Sequence, residues 1–140
     1  MRNYKVGAQL VEILENNEAV KEVLDTNEIY PLVAILNSTD SGQTIDSGQT
    51  IDVHFPFVIY RRTNYQPEST KDMDSEKVWV EFMVAAKTYQ QSLIIAERIC
   101  EALYKKETDI IDDIRFSSLY EDWMDETFLQ FINVEVTMKE

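Results

Sequence analysis

The residues with the most chemical potential in this chain are carboxylates. Asp109, Asp112, Asp113, Glu121, Asp122, Asp125 and Glu126 share a stretch whose only basic residue is Arg115. Oxygen donors at that density suit hard cations such as Ca²⁺ or Mg²⁺. The spacing does not follow an EF-hand loop, however, and no glycine stands where that loop turns sharply. A solvated acidic face is the simpler reading, and such a face repels DNA phosphates and attracts a basic partner. Other chemistry is sparse. His54 is the only histidine and sits beside Phe55 and Pro56, with no nucleophile–base pattern around it. Cys100 lies on an apolar helical stripe, where a thiol behaves as a small hydrophobe. A reactive thiolate needs electropositive, accessible surroundings instead. Phosphate-cradling glycine loops, H-E-x-x-H and C-x-x-C are all missing from the sequence. No catalytic residue, metal site or cofactor is therefore assigned, and no enzymatic activity is expected.

Composition narrows the class further. The 140 residues suit one domain. Thirteen basic against 26 acidic residues give a net charge of −13. That balance excludes a protein that grips nucleic acid, because phosphate neutralisation needs clustered Lys and Arg. It equally disfavours an anionic membrane surface as partner. Residues 107–140 hold ten acids and two bases, so most of the excess lies in the last quarter. Hydrophobic residues make up 44%, enough for a core. A chain this long buries roughly two-thirds of its unfolded surface without help from disulfides or metals. One cysteine permits no intrachain disulfide, which suits a reducing compartment. No apolar run approaches the ~18 residues of a spanning helix. Nor does a long apolar stretch follow Met1-Arg2-Asn3-Tyr4-Lys5, so no signal peptide is expected.

The elements that must position these groups follow from periodicity. Val6, Leu10, Ile13 and Leu14 share one helical face. Asn16-Asn17 interrupts that helix, and Asn17 is placed to cap a short second one carrying Val20, Val23 and Leu24. Ile29 to Leu36 reads as a strand, confined by Pro31 to an edge or a kink. Val53 to Arg62 reads as a second strand, apolar on both faces and ended by Arg61-Arg62. Glu76 to Ala86 alternates with period two, placing Val78, Val80, Phe82, Val84 and Ala86 on one face. Thr88 and Gln91 form a capping box that opens a helix to Lys106. Leu93, Ala96, Ile99, Cys100 and Leu103 form its expected buried stripe. Ile114 to Tyr120 and Phe128 to Lys139 are the last strands, joined by an acidic turn over 121–126. The expected fold is α+β: a mainly antiparallel sheet of four to five strands, with N-terminal helices and the long helix packed on one face.

Two connections stand out. Ser41-Gly42-Gln43-Thr44-Ile45-Asp46 is repeated at once as Ser47-Gly48-Gln49-Thr50-Ile51-Asp52. Two copies are too few for a solenoid. The segment reads as a duplication in a tolerant loop or hairpin tip at about 37–52, with Ile45 and Ile51 as two apolar anchors for a partner. The polar segment 63–75 is the second and carries Lys71, Asp72 and Asp74.

In their order, these features resemble the tail-completion, or tail-terminator, proteins of long-tailed bacteriophages and prophages, which are also described as head–tail joining proteins. An amphipathic helix precedes Ile29-Tyr30-Pro31, and Pro56-Phe57-Val58-Ile59-Tyr60 matches the family's proline-led apolar strand. The strand from Val78 to Ala86 passes through Lys87-Thr88 into a helix with Ala96, Ile99, Ala102 and Leu103. Tyr120-Glu121-Asp122 follows, and the last strand carries Leu129-x-Phe131. The resemblance covers roughly residues 6 to 138, with the duplicated hexapeptide as an insertion.

That resemblance implies a structural virion protein. Its members form a ring, usually hexameric, on the head-proximal end of the tail, and are made in the bacterial host cytoplasm. The implied partners are further copies of the chain, the tail-tube protein and the head connector protein, with DNA passing through the centre unbound. An acidic lumen would let DNA slide, so part of the 107–126 cluster is expected to face the lumen or a basic partner. Two other readings stay open: a neck or connector protein of the same virion, and an acidic binding module that mimics DNA or engages a regulatory partner. The candidate contacts are Ile45 and Ile51, then Lys71, Asp72 and Asp74, and finally Glu121, Asp122, Trp123, Asp125 and Glu126, where Trp123 supplies an aromatic anchor.

Overall fold

The computed structural model describes residues 2–31, 43–44, 50–51, 54–67 and 75–139; for Arg2, 43–44 and 50–51 it describes the backbone alone. A 3₁₀ turn over Arg2–Lys5 leads into α1, Val6–Glu15. Val6, Leu10 and Leu14 are wholly buried, so the spacing of four residues builds the stripe that the sequence predicts. Asn16 ends the helix, and the Asn17 side chain accepts the Val20 N–H at 3.1 Å to cap α2, Glu18–Lys21. The third helix, α3, spans Tyr89–Leu103, with Thr88 Oγ1 accepting the Gln91 N–H at 3.2 Å.

The strands in chain order are β1 Ile29–Pro31, β2 Gln43–Thr44, β3 Thr50–Ile51, β4 Phe57–Gln66, β5 Lys77–Ala86, β6 Ile111–Met124 and β7 Thr127–Met138. Five of them form one sheet in the order β1-β4-β5-β7-β6. β1 runs parallel to β4, and the other pairs are antiparallel. The expected α+β class holds, with Pro31 on an edge strand, where its missing N–H is harmless. β2 and β3 pair antiparallel apart from this sheet, so the first copy of the hexapeptide meets the second. Residues 32–36, the rest of the 37–52 loop and 68–74 lie outside the described residues.

The helices cover one face of the sheet. Val58, Val80, Phe82, Val84, Ile132, Val134 and Val136 meet Val6, Leu10, Leu14, Ile95, Ile99 and Leu103 in a continuous core. Burying each large side chain contributes about 1.5–3 kcal/mol. The other face carries a smaller buried cluster of Phe57, Ile59, Ala85 and Leu129. This explains why β4 is apolar on both faces. Among the described residues, no helix is long and apolar enough to cross a membrane.

Three expectations need correction. First, the buried stripe of α3 is Ser92, Ile95, Ile99, Ala102 and Leu103; Leu93 is exposed, and Ala96 and Cys100 are only partly buried. Reading periodicity weighs Leu above Ser. Ser92, though, is small enough to sit against the sheet, and its hydroxyl donates to the Tyr89 carbonyl and accepts from Gln130. Second, β4 starts at Phe57 and continues past Arg61-Arg62 to Gln66, with a bulge between Arg62 and Asn64. β5 offers backbone partners as far as Lys77, and that ladder outweighs the two charges. Third, the acidic turn is far shorter than 121–126. Glu121, Asp122 and Trp123 belong to β6, because Gln130, Leu129 and Phe128 of β7 pair with them. Only Asp125 and Glu126 turn the chain, with φ of 51° and 60°. Both are left-handed, as a two-residue hairpin that follows the sheet's twist requires.

Candidate functional site

The acidic stretch does not converge on one point. Asp109 accepts from Gln9 Nε2 at 2.9 Å, and Asp113 pairs with Arg115 at 3.0 Å. Glu121 accepts from Tyr89 Oη at 2.9 Å and from Gln130 Nε2 at 3.0 Å. Asp122 turns back to accept its neighbour's N–H at 2.8 Å. Among the described residues, no group of three His, Cys, Asp or Glu is placed to hold a metal ion. Exposed carboxylates of this kind attract cationic surfaces.

What the fold does gather is the outer half of the β6–β7 hairpin. β6 is 14 residues long and forms a sheet edge. Its first half is anchored by buried Ile111 and Ile114, whereas every residue from Ser117 to Met124 is exposed. Leu119, Tyr120, Trp123 and Met124 stand 59%, 50%, 58% and 56% exposed. Adjacent apolar residues on a strand point to opposite faces, so both faces of this edge are apolar. Tyr89 and Leu93 of α3 add exposed apolar surface. Tyr89 ties α3 to the hairpin through Glu121 and through a 5.9 Å ring contact with Phe128. That hydrogen bond to a carboxylate, followed by partial desolvation, raises the Tyr89 pKa above its ordinary 10.

The opposite face of the hairpin is held by a network that sequence periodicity does not reveal. Glu81 is nearly buried, receives Arg61 Nε at 3.2 Å, and accepts from Tyr120 Oη at 2.9 Å. Tyr120 also stacks on Phe131 with centroids 4.7 Å apart. A period-two strand gives no sign that a Glu on its outward-alternating face, opposite Val80 and Phe82, will be buried. The signal was across strands, because pairing places Arg61 beside Glu81.

Of the candidate contacts, Glu121, Asp122, Trp123, Asp125 and Glu126 come together on this exposed hairpin end. Ile45, Lys71, Asp72 and Asp74 lie outside the described residues, as does the side chain of Ile51. His54 is exposed ahead of β4, where its backbone N–H reaches Glu28 at 3.3 Å. The Cys100 thiol is pushed up to about 11 by burial and by Glu101, so it stays protonated at neutral pH. Adjacent apolar pairs, Leu119-Tyr120 and Trp123-Met124, were the missed sequence signal for the exposed edge.

No protein-family model matches this chain, and no curated protein matches it in sequence. Among solved structures, it is similar to a chain in the virion of a native gene transfer agent (GTA) particle. The TM-score is 0.64 at 8% identity, over 94% of this chain and 92% of that one. At that identity the likeness is one of fold, and it extends across nearly the whole of both chains.

Proposed function

We propose that the protein is a structural component of a phage-like virion, of the tail-terminator kind. It closes the head-proximal end of the tail tube as a ring and joins the tail to the head connector. The observation that carries this reading is the fold likeness to a chain of a gene transfer agent virion, covering 94% of this chain. The same class of particle is implied by the ordered sequence features that resemble tail terminators. The molecule also suits assembly better than turnover. Among the described residues, its exposed features include an apolar strand edge carrying Trp123 and Tyr120, a surface type that marks interaction sites.

In this reading, DNA crosses the ring without being held. With 26 acids against 13 bases, the chain offers a passing duplex repulsion and few phosphate contacts. The role is non-enzymatic, in the virion, with the tail-tube and connector proteins as neighbours. A neck protein one layer nearer the head shares the same fold argument. The test is removal of the protein from particle-producing cells. Filled heads that lack joined tails, beside tubes of uncontrolled length, are expected. Normal tailed particles would overturn the proposal.

A further inference from the structure

We infer that the tip of the β6–β7 hairpin seats in a cleft of a second copy of this chain, at the far corner of its sheet. The inference rests on the reading of the protein as a subunit of a closed assembly, and it names the contact that closes it. The cleft encloses about 440 Å³ and is lined by Asn3, Tyr4, Arg62, Thr63, Asn64 and Tyr65. Arg62 is exposed, lies over the Tyr4 ring at 4.5 Å, and has no carboxylate partner among the described residues. Asn3 is 3% exposed, and its Oδ1 accepts no hydrogen bond among the described residues. The cleft thus combines an uncompensated cation, an exposed aromatic ring and an unused acceptor. Among the described residues, no acidic one lines it.

The hairpin tip is its chemical complement. Asp122, Asp125 and Glu126 have no basic partner among the described residues. Trp123 beside them is exposed, and its indole N–H, a donor only, is unused among the described residues. A carboxylate meeting Arg62 makes a charge-assisted hydrogen bond, and Trp, Tyr and Arg are the residue types enriched among interface hot spots.

One copy cannot make this contact with itself. Arg62 aligns through Val80 and Val134 with Phe116, eight residues short of Met124 on β6. At ~3.3 Å per residue the tip lies roughly 26 Å further along the strands, and ~14 Å across three strand spacings. Tip and cleft are different surfaces, so the contact is heterologous and repeats from copy to copy, the geometry that generates rings or filaments.

Sedimentation of the full chain up to millimolar concentration tests this. Concentration-dependent association is expected, weakened about tenfold or more by Asp122→Lys with Asp125→Lys, and equally by Arg62→Glu. An equimolar mixture of the two variants should recover association, because each reversed surface then meets its complement. Should Arg62→Glu fail to fold, Arg62→Gln carries the same expectation with a loss of about threefold. A chain that stays monomeric, reversals without effect, or a mixture that fails to recover would each overturn the contact. Recovery by the mixture in a chain that leaves tail tubes uncapped would uphold the contact and overturn the virion reading. Capping by a chain indifferent to the reversals would do the opposite.

Discussion

The hydroxyl of Tyr120 reaches across β7 to donate a 2.9 Å hydrogen bond to Glu81 Oε2, joining the exposed edge strand to the middle of the sheet. Glu81 is held at the same time by Arg61 on β4, so one carboxylate ties three strands. The bond to Glu81, then desolvation, raises the Tyr120 pKa above its ordinary 10. The folded state therefore holds this proton more tightly than the unfolded chain does. The associated stability is complete below pH about 10 and is lost as pH rises through the elevated folded value. Tyr120→Phe keeps the stack on Phe131 and removes the bond. It is expected to lower stability in urea by about 0.5–1 kcal/mol at neutral pH, and to remove the alkaline component.

The turn at Asp125 and Glu126 predicts a gain. Both residues adopt positive φ, which costs non-glycine residues roughly 1 kcal/mol. Glu126→Gly is expected to raise stability by about 0.5–1 kcal/mol, and adding Asp125→Asn should raise it further. The midpoint of thermal unfolding checks both. Because Asp125 belongs to the proposed contact surface, the stabilised double variant should associate more weakly than the original chain.

Capping makes a third prediction. Thr88 Oγ1 accepts the Gln91 N–H at the start of α3, and α3 carries Ile95, Ile99 and Leu103 into the core. Thr88→Ala should cost about 1 kcal/mol, whereas Thr88→Ser should be close to neutral. Urea unfolding followed by circular dichroism reads the difference.

Much of the architecture was legible because local chemistry and tertiary context agree. Asn17 and Thr88 cap as their side chains dictate, and the alternation from Val78 to Ala86 is a buried face from end to end. The sequence was less informative where pairing partners decide. Whether Arg62 ends a strand depends on β5, and whether Glu121 turns or extends depends on Gln130. The α3 stripe is offset because Ser92 finds a carbonyl and an amide, which no periodicity records. The acidic hairpin end was visible as a charge cluster with one Trp. Its complement was not, because Asn3, Tyr4 and Arg62 are brought together only by folding.

Cys100 gives a fourth prediction. Burial and Glu101 push its pKa from 9 up to about 11, so the thiolate fraction at neutral pH falls about hundredfold relative to an unperturbed thiol. Alkylation should be correspondingly slow in the folded protein and rapid in urea. A fast reaction in the native state would show that α3 opens locally at that point.

The most direct measurement of the central claim is electron microscopy of tail-tube subunits polymerising with and without this protein. Tubes of limited length, each bearing a ring of this protein at one end, are the predicted result. Tubes of unchanged length with bare ends would contradict the account.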